Sequence, residues 1–522
     1  MMKADKAKKH ETLPGSGRGL KLPSLFPGEF FPVCMIFITA LGIHALEGAD
    51  TTDGAEAAEP PPAAEGPAVP GAESPAAGAS PGSSEGGKFA ENTVEASRYA
   101  TIRYGTETEI ASLIQALKNE NADYLDDELV ALVQNTRNRS ILSGVFSFFS
   151  ARQKTGLEDR AVRALEEWDE ESGETVLTAI DYLGKIQAPA AIKPLKAILD
   201  SEERRFMNAA FRALGRASAA DSESAGDAAL YLIDYYTNRD PGDENRREII
   251  TALGEGGSEK AVEFLAGIAG NSEERMPLRI AALDSLGKIG DQAGVEAVTA
   301  AINDGDPNVR ASAVAALGPF SGEEVDRAIL EAFRDSYYRT RIAAAEASRV
   351  RKFEAAVPYL RFRAERDDVP AVKDAALRAL GAIGNGECIS ILEKFFSDRG
   401  GPDRIRILSI EMLMKNEPAA FAAALIAELD EAKRKNQTAL YNGFLKVIGE
   451  ARAPGLEEIT RRFFASGSAV EKIYALDMAA NNGLRSLIPE VQAMKDDKNT
   501  GIARKAARTL EVLTAPAANP EH

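Results

Sequence analysis

Histidine is almost missing from this 522-residue chain. The three present are His10, His44 and His522, so none lies between Arg98 and Leu513. That absence removes the commonest general base, and with it Ser–His–Asp and Cys–His nucleophile systems, from nearly the whole sequence. Cysteine is as scarce, with only Cys34 and Cys388. Cys34 falls in an N-terminal apolar stretch that is removed if the segment is a cleaved signal, which then leaves Cys388 without an internal partner and the fold independent of a disulfide. Cys388 is expected to act as a small buried apolar residue. Zinc sites built from Cys and His are excluded, and no metal or cofactor site is expected. Neither a GxxxxGK[ST] phosphate loop nor a GxGxxG after a strand is present. Asp304-Gly305-Asp306-Pro307-Asn308 resembles the opening of a calcium loop. However, Val309 stands where that loop needs glycine and Ala315 where it needs glutamate, so the segment reads as a helix-capping turn.

Positive charge is also in short supply. The net charge is −18. Residues 1–49 carry six Lys/Arg against four Asp/Glu, which makes them +2 and the remainder −20. An acidic surface of that size repels phosphate backbones, so nucleic acid is not an expected partner. Aromatic residues make up 7% of the chain and tryptophan occurs once, as Trp168, whereas Ala and Leu are abundant. That balance favours helices over sheets. Trp168 sits beside the acidic run Glu166–Glu171 and reads as a packing residue at a solvated helix end.

One long apolar run exists. Phe30–Leu46, FFPVCMIFITALGIHAL, follows a leader with Lys3, Lys6, Lys8, Lys9, Arg18 and Lys21. The pattern is that of an export signal, and seventeen residues also reach the lower limit for a membrane span. Residues 1–49 are therefore expected to be a basic leader with a signal peptide or a membrane anchor. A start codon assigned too far upstream is the remaining alternative. A lipoprotein does not fit, because Cys34 lies near the start of the run. Residues 50–90 form a linker in which Asp50–Lys88 holds seven prolines, seven acids and one Lys. With almost no large aliphatic side chain, it is expected to be disordered and to span roughly 35 Å. The expected location is extracytoplasmic: periplasmic or secreted, and held at the inner membrane if residues 30–46 stay in place.

From about Thr106 to Leu513 one pattern recurs, and residues 91–513 are read as a single array with a disordered tail over 514–522. The clearest copy is DPNVRASAVAALGPFSGEEVDRAILEAF from Asp306. Asp306 is a good N-cap with Pro307 at the first helical position. Val309, Ala313, Val314 and Leu317 share one face, and Gly318 is expected to end the helix. Leu-Gly returns at Gly184, Gly215, Gly254, Gly287, Gly318 and Gly381, and Ile-Gly at Gly449. Weaker equivalents fall at Leu117, Phe149, Val350, Lys415 and Gly483. The period of 31–35 residues, broken once by a 39-residue step, marks a helical repeat array. Each helix pair has too little core to stand alone and must stack on its neighbours. The expected fold is all-α: a right-handed α-solenoid, or superhelix, of about twelve HEAT-like helix pairs.

DPNVRASAVAALG, MPLRIAALDSLGKIGD and VPAVKDAALRALGAIGNGECISIL resemble bacterial HEAT repeats, in particular the short variety named after phycobilisome lyases. The resemblance covers about 400 residues. It implies that the basic residue eight positions before each glycine (Arg246, Arg279, Arg310 and Lys373) pairs with an acid of a neighbouring repeat. Met207, Ile407, Tyr441 and Ala475 occupy that position elsewhere.

Without catalytic apparatus, and with one long face to offer, the chain reads as a non-enzymatic protein-binding scaffold of the bacterial cell envelope, its partner held along the concave face. A structural or peptidoglycan-associated envelope protein is the alternative, and a lyase-like, cofactor-handling HEAT enzyme a more distant one. Candidate partner contacts are the aromatic and arginine positions of the middle stretch, Tyr231–Arg366: Tyr235, Tyr236, Tyr337, Tyr338, Arg361, Phe362 and Arg363. Arg363 occupies a slot filled by Ile198, Ile268 and Phe395 in other repeats, which reads as a shift in helix register or as an arginine retained for binding.

Overall fold

The computed structural model of the protein describes residues 93–219 and 223–515. The leader, the run over 30–46, the linker over 50–90 and the tail from 516 lie outside these residues. Twenty-six α-helices, six short 3-10 segments and no strand occur among the described residues. In the first part these helices are α1 Val94–Tyr104, α2 Glu107–Glu120, α3 Asp126–Asn135, α4 Arg139–Arg152, α5 Glu158–Glu166, α6 Gly173–Lys185, α7 Ile192–Asp200, α8 Arg204–Ala217 and α9 Glu223–Asn238. The middle holds α10 Asp243–Gly256, α11 Val262–Gly270, α12 Met276–Ile289, α13 Val295–Ala301, α14 Pro307–Ala316, α15 Glu323–Ala332, α16 Tyr338–Arg351, α17 Val357–Arg366 and α18 Pro370–Ile383. The last part is α19 Gly386–Ser397, α20 Asp403–Asn416, α21 Pro418–Arg434, α22 Thr438–Glu450, α23 Glu457–Phe464, α24 Ala469–Asn481, α25 Ile488–Ala493 and α26 Thr500–Thr514.

Helices alternate between two layers. The even-numbered helices pack on one another from α2 to α26, and each odd-numbered helix covers its neighbours from the other side. The result is an all-α solenoid. Its core is a continuous seam of Ala, Leu, Ile and Phe between the layers: Leu183, Leu214, Leu253, Leu317 and Leu380 are all fully buried. Local chemistry starts the helices as expected. The Asp306 carboxylate accepts the Asn308 amide at 2.7 Å, with Pro307 at the first turn. Thr106 and Glu109 close a capping box on α2.

The Leu-Gly glycines do a different job from the one expected of them. Only Gly318 follows the end of its helix, at Ala316. Around Gly184, Gly215, Gly254, Gly287 and Gly381 the helix runs on past the glycine. A Cβ at Gly254 would lie 2.5 Å from Ser285 Cβ, and one at Gly287 would lie 2.9 Å from Ala316 Cα. These glycines are where consecutive even helices touch backbone to backbone. The helices end later, at Gly257, Gly290 and Gly384, with φ of +67°, +67° and +64°. Because the even helices approach this closely and the odd helices do not, the even layer lies on the inner side of the stack.

Candidate binding surface

Guanidinium groups tie successive units together at the end of the even layer. Arg279 Nη2 donates to Asp304 Oδ2 at 2.5 Å and its Nε to the Ala269 carbonyl at 3.1 Å. Arg310 grips Asp335 through Nε and Nη2 at 2.8 and 3.1 Å. Arg341 does the same to Asp367 at 2.7 and 2.8 Å, and its Nη1 reaches the Asp335 and Ser336 carbonyls. Each carboxylate also accepts a backbone N–H two residues on, from Asp306, Tyr337 and Val369 respectively. Burial alone would raise Asp367; the Arg341 hydrogen bonds, the Val369 amide and the guanidinium charges outweigh it and hold the carboxyl below its usual range. The pairing implied by the family resemblance is thus present at Arg279 and Arg310. Arg246 instead pairs locally with Asp240 at 2.6 Å, and Lys373 donates to the Glu365 carbonyl at 3.3 Å.

Two rungs escaped the sequence reading. Arg341 and Arg406 fill the same structural position, and Arg406 bonds the Phe396 carbonyl at 3.0 Å and Glu428 at 2.7 Å. The sequence period places the glycine equivalents at Val350 and Lys415, one residue late, which points to Ile342 and Ile407 instead. The buried set Thr340, Ala344 and Ser348 on α16, matching Val309, Ala313 and Leu317, gives the right register. Arg363 is corrected by the same alignment. Val357, Leu360 and Ala364 are buried as Val262, Leu265 and Ala269 are, so α17 keeps the common register. Arg363 stands in the Ile268 slot because it bonds Asp367 at 3.3 Å, joining the Arg341 rung.

The proposed contact residues divide. Tyr235 and Tyr236, on α9, are buried at 3% and 9% exposure. They pack edge-on against Phe211 and Phe264, so neither offers a partner an appreciable surface. Tyr337 caps α16 and donates to Asn308 at 3.0 Å, and Tyr338 leans on it with ring centroids 5.4 Å apart. Arg361 and Phe362 remain exposed on α17, in the outer layer, where Arg363 lies over the Phe362 ring. The Tyr231–Arg366 stretch therefore gathers no single aromatic face. Trp168 packs edge-on against Phe206, as a packing residue should.

Two of the clefts among the described residues could admit a small group. One, of about 320 Å³, is lined by Asp430, Lys433, Tyr441, Arg462 and Glu471. Its charges are already matched: Glu471 to Lys433 at 2.6 Å and to the Tyr441 hydroxyl, Asp430 to Arg462 at 2.7 Å. The other, of about 300 Å³, lies on the inner faces of α2, α4 and α6. Its Lys118 donates to Ser147 at 2.7 Å and its Ser143 to the Arg139 carbonyl. The Cys388 thiol is fully buried, and that burial pushes it up to about 11, away from nucleophilic use. No group of His, Cys, Asp or Glu able to hold a metal occurs among the described residues. No described helix is long and apolar enough to cross a membrane.

On the inner face ion pairs join α8 to α10: Arg212 to Glu248 at 2.6 Å and Arg216 to Glu255 at 3.0 Å. Lys505 to Asp477, at 2.6 Å, joins α26 to α24. Among the described residues no ion pair joins α12, α14 and α16 across this face, as is also the case between α4 and α6, α6 and α8, and α16 and α18. On this face α14 shows Ala311, Ser312 and Ala315, flanked by half-buried Ile280 and Ile342 and by the exposed Met276 and Val350.

Asp284 stands on this face, on α12. Its side chain is exposed, and partial desolvation by the neighbouring helices pushes its carboxyl from 3.8 up to about 6 against the pull of Lys288 on the same helix. Facing it, α10 carries Arg247, Glu248 and Glu255, and the inner face of α14 carries no charge. A carboxyl raised by folding stabilises the folded state at low pH and loses that contribution as pH rises through about 6. Asp284→Asn is therefore expected to melt higher than the parent above pH 6, with the two converging below pH 4. Melting curves at pH 3.5 and 7.5 check both halves.

A two-layer stack of helix pairs, glycine contacts in one layer and guanidinium rungs between units, defines a protein of the HEAT-repeat solenoid class. Residues 102–510 match the Spirochaete HEAT repeat protein family. The chain belongs to that family. No curated protein matches it significantly. Among solved structures it is similar to Kap121p, with 12% identity and a TM-score of 0.41 over 80% of this chain and 53% of that one. Human deoxyhypusine hydroxylase gives 19% identity and a TM-score of 0.23, covering 49% and 94%. The CpcE–CpcF complex of phycocyanin lyase from Nostoc gives 16% and 0.29, covering 55% and 94%. The chain thus spans about half the length of Kap121p.

Proposed function

We propose that this protein is a non-enzymatic scaffold of the cell envelope that holds a protein partner along the inner, even-helix face of its solenoid. One observation carries the choice of face. On the inner layer α14 presents Ala311, Ser312 and Ala315 between the half-buried Ile280 and Ile342, with Met276 and Val350 exposed at the margins. An exposed apolar strip rimmed by charge is the usual mark of an interaction surface. The envelope location is supported by the basic leader and the apolar run Phe30–Leu46, followed by a proline-rich, acidic linker.

The test is site-specific photo-crosslinking in the native cell, with the probe at Ala315 on the inner face or at Phe362 on the outer one. One dominant protein adduct from Ala315 is the expected result. Adducts from Phe362 alone would move the interface to the outer layer. The absence of protein adducts at both would count against a scaffold.

A further inference from the structure

We propose that the cleft framed by α21, α22, α23 and α24 binds a guanidinium group, seated on the buried Glu471 carboxylate. This goes beyond the scaffold reading and does not depend on which face holds the partner.

The cleft marks a break in the row of guanidinium rungs. Matching buried positions sets α22 in register with α12: Leu440, Phe444, Leu445 and Ile448 correspond to Leu278, Ala282, Leu283 and Leu286. Glu471, Ala475, Leu476 and Ala479 on α24 follow 31 residues later. Tyr441 therefore stands where Arg279, Arg310, Arg341 and Arg406 stand in other units. Lys472, bonded to Asp497 at 2.7 Å, resumes the row. Arg279 and Arg310 each reach an aspartate 25 residues further on. The residue 25 places beyond Tyr441 is Ser466. Both halves of the ion pair are thus replaced at this one rung, and a cleft of about 320 Å³ opens there, lined by Tyr441 and Ser466.

A different carboxylate takes over the place. Glu471 occupies the position filled by Leu278, Val309, Val372, Ile405 and Leu440 in other units, and like them it is buried, at 3% exposure. A charge in an apolar slot costs stability unless it is matched. Burial alone would raise Glu471; hydrogen bonds from Lys433, Ser466 and Tyr441 outweigh it and hold the carboxyl below its usual range, so it is charged at neutral pH. The cation it holds is Lys433 at 2.6 Å, whose side chain is 56% exposed and whose ammonium also lies 5.5 Å from the centroid of the Tyr441 ring. Lys433 thus makes, from the solvent side, two contacts that a guanidinium makes better: a planar fork grips a carboxylate with two bonds and stacks on an aromatic face. The intact rungs show which group this architecture seats on a buried carboxylate. An incoming guanidinium releases Lys433 to water, and Arg462 is already balanced by Asp430 at 2.7 Å. Its carrier is a partner's arginine side chain or a small guanidine.

Saturation-transfer NMR on the full chain tests this with N-acetyl-Gly-Arg-Gly amide, free arginine and N-acetyl-Gly-Lys-Gly amide. Saturation of the arginine side-chain protons is expected, with the lysine peptide bound about tenfold more weakly. Tighter binding of the arginine peptide would assign the group to a protein partner, and tighter binding of free arginine to a small guanidine. Glu471→Gln keeps the shape and removes the charge, and should weaken binding by about tenfold or more. Tyr441→Arg supplies the guanidinium from within, so it should abolish binding and melt higher than the parent. Circular dichroism of both variants verifies that the helices are retained. No saturation of either arginine probe on the parent, or undiminished binding in either folded variant, would overturn the site. A lysine peptide that binds as tightly as the arginine peptide would overturn the choice of guanidinium.

Discussion

Arg341→Ala is expected to cost about 3–5 kcal/mol of stability, the usual cost of stranding one half of a buried ion pair. Arg341 is 9% exposed and Asp367 4%. The substitution deletes two hydrogen bonds to the carboxylate and two to the carbonyls of Asp335 and Ser336. Asp367 would keep only Arg363 at 3.3 Å and the Val369 amide at 3.0 Å. Arg341→Lys should fall between, since an ammonium restores charge without the two-pronged grip. Removing both partners, in Arg341→Met with Asp367→Leu, should recover most of the loss, because no unmatched charge remains. The pH dependence has a definite sign. Asp367 is depressed in the folded protein, so its contribution is present above the ordinary carboxyl value of 3.8 and lost as pH falls through the lower folded value. The gap between parent and Arg341→Ala should be full at pH 7 and close on acidification below pH 4. Urea unfolding followed at 222 nm at both pH values measures it. Equal stability of parent and variant at pH 7 would show that the rung does not hold the stack.

Gly254→Val is expected to cost about 1–3 kcal/mol, the range for forcing extra carbons into a packed contact. A Cβ there would come within 2.5 Å of Ser285 Cβ and 2.7 Å of its Cα. Backbone cannot swing aside as a flexible side chain can, so α10 and α12 must separate. Separation also disturbs the Ser285 hydroxyl, which donates to the Ile250 carbonyl at 2.9 Å. Gly267 provides the control. It lies inside α11, is exposed, and a Cβ there meets nothing within 4 Å. Gly267→Ala should therefore stabilise by about 1 kcal/mol through helix propensity alone. Two glycines in helix interiors are thus expected to respond with opposite signs. Thermal melts of the two variants against the parent decide it; a stabilised Gly254→Val would mean that the even helices do not touch at this point.

The candidate surface was only partly legible beforehand. The sequence points to the middle stretch through its tyrosines and arginines, and the structure buries two of these, Tyr235 and Tyr236. Tyr235 and Tyr236 looked like interface anchors because aromatic crowding on an amphipathic helix does not say which side faces the core. Ala311, Ala315 and Asp284 carry no sequence signal, since an alanine and an aspartate on an exposed helical stripe are ordinary. What sets Ala311 apart is that its counterparts 31 residues away on the adjacent helices, Ile280 and Ile342, are also uncharged, and that is a property of neighbours in space.

By itself the sequence determined what depends on residues close together. Its apolar spacing of three and four places the helices, Asp306-Pro307 and Thr106–Glu109 start them, and a period of 31–35 requires that they stack. Tertiary structure alone decided what depends on distances between repeats. It moved the Leu-Gly glycines from helix ends to helix contacts, because a glycine's lack of a Cβ serves a turn and a close approach equally well. It found Arg341 and Arg406 one residue from where the period put them, because a periodic pattern tolerates a slip of one residue that a bidentate ion pair does not. Which layer faces inward was set by how closely two backbones approach across thirty residues of chain, and no short-range pattern carries that distance.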